Sequence, residues 1–106
     1  MGLFSFLGFG NDKIKQALFD GAVIIDVRTA HEFDRGKIKN SINIPLERLH
    51  VGMERIKAMR KPVILCCSGD GRSDEARRIL LSAGIDPVYS GGNWQSLMKT
   101  VLQVMG

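Results

Sequence analysis

The sequence predicts an α/β fold, a small open and mainly parallel β-sheet flanked by helices on both faces. Residues 22–26 and 63–66 form short, continuous apolar runs, which are typical of strands that are covered on both faces. Segments with apolar residues at helical spacing separate the expected strands. This alternation indicates parallel strands joined by right-handed helical crossovers.

Capping residues mark the helices in the first part of the chain. Asn11 or Asp12 can cap a short helix that precedes the first apolar run. Thr29 and Glu32 have the spacing of a capping box, in which each side chain accepts a hydrogen bond from the backbone of the other residue. A small helix is therefore predicted here, ending at Gly36.

Prolines, glycines and apolar periodicity define the later elements. Pro45 and Pro62 each precede a new element, and Gly84 closes a helix. In chain order, the predicted elements are a strand over 41–44, a helix over 46–60, the strand over 63–66, a helix over 73–83, a strand around Val88 and Tyr89, and a helix over 94–102.

The first ten residues differ in composition from the rest. We treat residues 1–10 as an apolar N-terminal segment and residues 11–106 as one domain, because 106 residues suffice for a single core. The segment lacks a basic start and a cleavage site, and it is shorter than the roughly 20 residues that span a bilayer. It is expected to cover a groove on the domain or on a partner subunit, without membrane insertion. Its large apolar residues are Leu3, Phe4, Phe6, Leu7 and Phe9.

Charge and cysteine content exclude further classes of protein. The net charge is +4, but basic and acidic residues are interleaved, so nucleic-acid binding is not expected. Cys66 and Cys67 are the two cysteines of the chain, and neighbouring cysteines cannot cross-link distant segments. We therefore expect reduced thiols and a cytoplasmic location. The oligomeric state is left open.

The loop after the second apolar run has the features of an anion site. In open α/β sheets, ligands bind beyond the carboxyl ends of the strands, where this loop is expected. Gly69 and Gly71 allow positive φ angles and convergent N–H groups, and Arg72 adds a positive charge. Such a loop would favour the thiolate form of a cysteine held at its centre.

Strand alternation distinguishes the two cysteines. Cys66 continues the apolar strand and is expected to be buried to one side. Cys67 is expected to begin the turn and to face the space that the loop encloses. We therefore assign the nucleophile to Cys67.

Four segments together resemble the single-domain rhodanese family of sulfurtransferases. They read VIIDVRTAHEF, GKIKNSINIPL, CSGDGRS and YSGGNW, and the resemblance runs from Gly21 to Leu102 with the segments in the right order. It implies that Cys67 takes a sulfane sulfur as a persulfide from a small anionic donor such as thiosulfate. The acceptor would be cyanide, a cellular thiol or a protein persulfide partner. The residues that the resemblance places around the donor are Ser68, Gly69, Asp70, Gly71, Arg72 and Ser73.

The resemblance also identifies supporting residues and two departures from the family pattern. Asp26 and Arg28 match the family's Asp-x-Arg and imply structural support, with Arg28 expected to pair with Glu32. Lys37 replaces a common histidine, and Asp70 replaces a common glycine of the loop. A carboxylate at the rim of the site opposes an anionic donor, so we expect thiosulfate to be a poor one.

Two other functions fit parts of the pattern. Cys66 and Arg72 have the Cys-x5-Arg spacing of phosphatases and arsenate reductases, although only Asp70 is available as an acid for the leaving group. Alternatively, Cys66 and Cys67 could form a strained vicinal disulfide in a redox-sensing module, or the domain could be a non-catalytic binding module.

Metal and cofactor sites are not predicted. His31 and His50 have no ligand spacing, and two adjacent cysteines do not make a zinc site. No dinucleotide-binding or phosphate-loop signature is present.

Overall fold

A computed structural model describes residues 12–106, and the apolar segment over residues 1–10 lies outside this range. The elements alternate as the sequence predicts. They are α1 (residues 12–19), β1 (Val23–Asp26), α2 (Ala30–Asp34), β2 (Ile42–Asn43), a 3-10 turn (Leu46–Arg48), α3 (Leu49–Met59), β3 (Val63–Cys67), α4 (Arg72–Ser82), β4 (Val88–Asn93) and α5 (Trp94–Met105).

The four strands form one parallel sheet in the order β2-β1-β3-β4. β3 lies between β1 and β4, and all five of its residues are buried. Because every strand runs in the same direction, the carboxyl ends of the strands meet at one edge of the sheet. The loops that follow β1, β3 and β4 are therefore brought together at this edge.

Helices cover both faces of the sheet. One apolar cluster packs α3 and α4 against one face, and it includes Leu65 and Cys67 of β3. The other cluster packs α1 and α5 against the opposite face, and it includes Ile64 and Cys66. Consecutive strand residues point to opposite faces, so the continuous apolar run of β3 serves both clusters. The α/β fold predicted from sequence is confirmed.

The boundaries of several elements differ from the predictions. β3 extends one residue further, to Cys67. β4 continues through Gly91 and Gly92 to Asn93, whereas the sequence predicts a strand only around Val88 and Tyr89. Glycine suits this position because a Cβ at Gly91 would lie only 3.0 Å from the Leu65 carbonyl oxygen. The predicted helix over residues 46–60 is divided into the 3-10 turn and α3.

The described helices are short. The longest, α5, has 12 residues, and residues 12–106 contain no helix with the length and apolar character of a membrane span.

Candidate active site

Cys67 is the last residue of β3, at the edge of the sheet where the loops converge. The expectation that Cys67 begins the turn is wrong, because its backbone still pairs with Asn93 of β4. Its side chain packs on the α4 face of the sheet, and the residue is only 1% exposed. The sulfur therefore lies beneath the loop and not in an open space.

Two polar groups contact the Cys67 sulfur. The Gly69 backbone N–H points at Sγ, with the nitrogen 3.4 Å away, and the Ser73 hydroxyl oxygen lies 3.3 Å from Sγ. Gly69 and Gly71 have φ angles of 88° and 91°, in the left-handed region that the sequence analysis expected. The turn can therefore aim a backbone N–H at the end of β3.

Arg72 begins α4, and its guanidinium group is held by carboxylates. Nη1 and Nη2 donate to the two Glu32 carboxylate oxygens at 2.8 and 3.0 Å, and Nη2 also donates to the Ser68 hydroxyl at 2.9 Å. Nε lies 2.8 Å from Asp70 Oδ2, a contact between charges and not an aligned hydrogen bond. Sequence analysis treated Arg72 as a cation available to an anionic donor, but two acidic side chains already neutralise it.

The pKa values of these groups reflect the same contacts. The hydrogen bond from Arg72 is the largest cause that lowers the pKa of Glu32 from 4.5 to about 2, and the backbone N–H of Thr29 adds to it. The contact with Arg72 likewise lowers the pKa of Asp70, and Glu32 is the main cause that raises the pKa of Arg72. The Asp70 side chain points towards the Arg72 guanidinium, and this contact keeps the carboxylate ionised at neutral pH.

Glu32 reaches Arg72 from the start of α2. The predicted capping box is present: the Thr29 hydroxyl accepts from the Glu32 N–H, and a Glu32 carboxylate oxygen accepts from the Thr29 N–H at 3.0 Å. The expected side-chain pair between Arg28 and Glu32 is absent as such, because Arg28 donates to the Glu32 carbonyl oxygen instead. The carboxylate is thereby directed across the site to Arg72.

Asp26 and Arg28 form a buried ion pair behind the site. The two residues are 0% and 4% exposed, and Arg28 donates to both carboxylate oxygens at 2.8 to 3.0 Å. Arg28 also donates to the Gly36 carbonyl oxygen at 2.7 Å, and its guanidinium carbon lies 4.7 Å from the centre of the Trp94 ring. This pair connects the end of β1 to the segment after α2 and to α5.

Cys66 occupies the opposite face of the sheet. It is 0% exposed, and its Cα partner in β1 is Asp26. Burial raises the pKa of Cys66 strongly, and the negative charge of Asp26 adds to this effect, so the residue stays a thiol. A phosphatase loop centred on Cys66 would require this residue to leave β3 and turn away from the face of the sheet on which it packs. A vicinal disulfide is also disfavoured, since the two sulfurs point away from each other.

A chain of hydroxyl groups extends from Cys67 to the surface. The Ser73 hydroxyl lies 2.9 Å from the Ser90 hydroxyl, which donates to Asp74 Oδ1 at 2.6 Å. Ser73 is 1% exposed, whereas Asp74 is exposed on the first turn of α4. Ser90 comes from β4, so α4 and β4 both contribute to this chain.

The comparison with known protein families agrees with this architecture. The model of the rhodanese-like domain matches residues 11–95. The chain belongs to the rhodanese-like family.

Relatives of this rhodanese-like domain occur within longer proteins. A tRNA uridine(34) hydroxylase from Cytophaga hutchinsonii is 32% identical over 74 residues, which cover 66% of this chain and 24% of the relative. The uncharacterised protein YqhL from Bacillus subtilis is 38% identical over 69 residues, which cover 65% of this chain and 54% of the relative. The chain thus spans about a quarter and about half of these two proteins. The crystal structure of reduced Bacillus anthracis CoADR-RHD has a TM-score of 0.64 and 32% identity, and the match covers 88% of this chain and 16% of that one.

Sequence reasoning missed several polar residues of the rhodanese-like site. The Glu32 carboxylate, Asp74, Ser90 and Asn93 reach the loop or its contacts from α2, α4 and β4. The position of Ser90 and Asn93 at the carboxyl end of the last predicted strand was the available signal, because that edge collects functional groups.

The two histidines lie on the surface of the domain. His31 and His50 are exposed, and within residues 12–106 no group of three or more potential ligands is placed to hold a metal ion.

Proposed function

We propose that this rhodanese-like domain is a sulfurtransferase in which Cys67 carries the transferred sulfur. The observation that supports the proposal is the position of the Cys67 sulfur, beneath the loop at the carboxyl edge of the sheet and in contact with the Gly69 N–H. An N–H directed at sulfur stabilises negative charge on it, and the thiolate is the form of cysteine that attacks. The start of α4 at Arg72 adds the positive end of a helix dipole.

The proposed reaction has two balanced steps. In the first, the Cys67 thiolate attacks the outer sulfur of a donor, a new S–S bond forms, and the donor's own S–S bond breaks to release a thiolate or, from thiosulfate, sulfite. In the second, a thiol acceptor in its thiolate form attacks the outer sulfur of the Cys67 persulfide, and the Cys67 thiolate leaves. Cyanide as acceptor would leave with the sulfur as thiocyanate. Neither step consumes an external oxidant or reductant.

The charges around Arg72 bear on the donor. Thiosulfate carries two negative charges on a compact group, and it needs a cation that is free to pair with it. Arg72 is instead paired with Glu32 and Asp70, so an approaching dianion meets two carboxylates beside one guanidinium. We therefore propose a persulfide, on a small thiol or on a protein, as the better donor.

Access to the sulfur requires movement of the loop. Cys67 is 1% exposed, and the Asn93 side-chain amide donates to the Ser68 carbonyl oxygen at 3.4 Å. This contact is long and therefore weak, and loop residues 68–71 are themselves exposed. Separation of the loop from Asn93 would open a path to the sulfur from the edge of the sheet.

The proposal is tested by weighing the protein after reaction with a donor. The reduced protein is incubated with glutathione persulfide and, separately, with thiosulfate, and its intact mass is measured. One added sulfur atom is expected, more readily from the persulfide, and it should be absent from Cys67→Ser and present in Cys66→Ser. Sulfur retained by Cys67→Ser, no sulfur uptake by the folded wild type, or aryl phosphate hydrolysis that depends on Cys66 would each contradict the proposal.

A further inference from the structure

The chain of side chains from Cys67 to Asp74 has a fixed direction. A carboxylate only accepts hydrogen bonds, so the single hydroxyl proton of Ser90 is directed at Asp74. Ser90 must then accept from Ser73, whose single proton is directed away from the sulfur. The Cys67 sulfur is left with the lone pairs of the Ser73 oxygen, and the contact is satisfied when Cys67 is a thiol that donates to Ser73.

If the hydrogen bonds of this chain ran in the opposite direction, they would stabilise the thiolate form of Cys67. A thiolate needs a donor, and the Ser73 hydroxyl can turn towards the sulfur only if Ser90 turns from Asp74 towards Ser73. Ionised Asp74 opposes this rotation, because a hydrogen bond to a charged acceptor is about twice as strong as a neutral one. An exposed carboxylate thus determines which way a buried hydroxyl points.

We propose that Asp74 is a positioning residue that, through Ser90 and Ser73, holds Cys67 in its thiol form in the resting domain. Ionisation of Cys67 releases its proton to water, and the thiolate then gains the Ser73 hydroxyl as a donor once Asp74 no longer binds Ser90. The biological meaning rests on the proposed function, in which Cys67 carries sulfur. A partner that binds the Asp74 carboxylate would release Ser90 and so favour the Cys67 thiolate without contacting the sulfur.

The other charged groups near Cys67 are paired with one another. They are Arg72 with Glu32 and Asp70, on the loop side, and Asp26 with Arg28, on the β1 side next to Cys66. Asp74 differs from them because a continuous series of hydrogen bonds connects it to the sulfur.

The test measures how fast iodoacetamide alkylates Cys67 as the pH is raised from 6 to 10. The modified residue is located by fragmentation of the peptide that contains both cysteines. Asp74→Asn supplies an amide N–H that can donate to Ser90, and Ser90→Ala interrupts the chain while it keeps the negative charge of Asp74. Both variants are expected to react about tenfold faster than wild type near pH 7, with equal rates at high pH where the thiolate is complete.

Two variants serve as matched controls. Asp74→Glu keeps an acceptor-only carboxylate and should retain the slow reaction near neutral pH. Glu75→Gln removes the same charge from the neighbouring exposed position of α4 and should react at the wild-type rate. Circular dichroism verifies that each variant is folded.

Three outcomes would overturn the inference. Wild-type rates in both Asp74→Asn and Ser90→Ala would show that the chain does not affect the sulfur. Acceleration in Asp74→Asn alone would assign the effect to charge acting through space. Acceleration that persists at high pH would indicate a more open loop. Alkylation requires no sulfur donor, so these results are distinguishable from a failure of sulfur uptake by the wild-type domain.

Discussion

Glu32 and Arg72, forty residues apart in sequence, form a two-point ion pair across the candidate active site. The carboxylate comes from the capping box of α2, and the guanidinium comes from the first residue of α4. The pair therefore links the crossover after β1 to the loop after β3. It also neutralises the cation that the sequence assigns to donor binding.

Glu32→Gln should make thiosulfate a better donor. The glutamine oxygen can still accept from the Thr29 N–H, so α2 keeps its cap, but Arg72 loses the paired charge. Sulfur uptake from thiosulfate is expected to become about tenfold faster, equivalent to ~1.4 kcal/mol. The rate is measured by intact mass against time. Glu54→Gln, which removes an exposed carboxylate on α3, is the control, and equal rates in the two variants would contradict the expectation.

The stability of the protein should fall at acid pH in a manner that depends on Glu32. The pKa of Glu32 is lowered from 4.5 to about 2, so its ion pair stabilises the folded state fully above pH 4.5. This contribution is lost as the pH falls through the folded-state value. The urea midpoint of wild type should therefore decrease more steeply between pH 4.5 and pH 2 than that of Glu32→Gln. Parallel curves for the two proteins would show that the pair contributes no pH-dependent stability.

Asp26→Asn should destabilise the domain severely. Asn is close in size to Asp but carries no charge, so the substitution leaves the guanidinium of Arg28 buried without its counter-charge. Breaking a buried pair in this way costs about 3 kcal/mol or more. Urea unfolding measures the loss. Glu54→Gln breaks an exposed pair and should cost less than about 1 kcal/mol. Similar losses of stability in the two variants would contradict a stabilising role of the buried pair.

Asn93→Ala should weaken the start of α5. The Asn93 side-chain oxygen accepts from the N–H groups of Gln95 and Ser96, at 2.9 and 3.1 Å. Loss of such a cap costs about 1 kcal/mol, measured by urea unfolding. Asn93→Asp keeps the oxygen that caps α5 but removes the amide donor to Ser68. This variant should therefore retain its stability, whereas its Cys67 should be alkylated faster because the loop loses the contact. A stable Asn93→Ala variant would contradict the capping role.

The order of the elements was predictable because the signals are local. Apolar runs, capping residues and helical periodicity lie within single segments, and the Thr29 and Glu32 capping box is present as predicted. The end of β4 was mispredicted for the opposite reason. A glycine weakens a strand prediction, and what favours Gly91 within the strand is the Leu65 carbonyl oxygen of β3, a group from a distant part of the sequence that leaves little space for a side chain.

The candidate site likewise has features that local sequence predicts and contacts that it does not predict. The loop after β3 was predictable from its glycines, and the burial of Cys66 follows from strand alternation. The Glu32 partner of Arg72 and the contact between Ser73 and Ser90 join segments that meet only in the folded chain. Capping-box spacing showed that Glu32 would point towards the start of α2, but not that one carboxylate would serve both Thr29 and Arg72.

The opposed directions of Cys66 and Cys67 limit the stoichiometry of a sulfur carrier. These are the two thiols of the 106-residue chain, and β3 separates them by the thickness of the sheet. In the proposed sulfurtransferase, a sulfur loaded on Cys67 would have no neighbouring thiol to resolve it, so it would not be expelled as hydrogen sulfide through an internal disulfide. The domain would store a single equivalent, and the lifetime of that equivalent would depend on the arrival of an external acceptor.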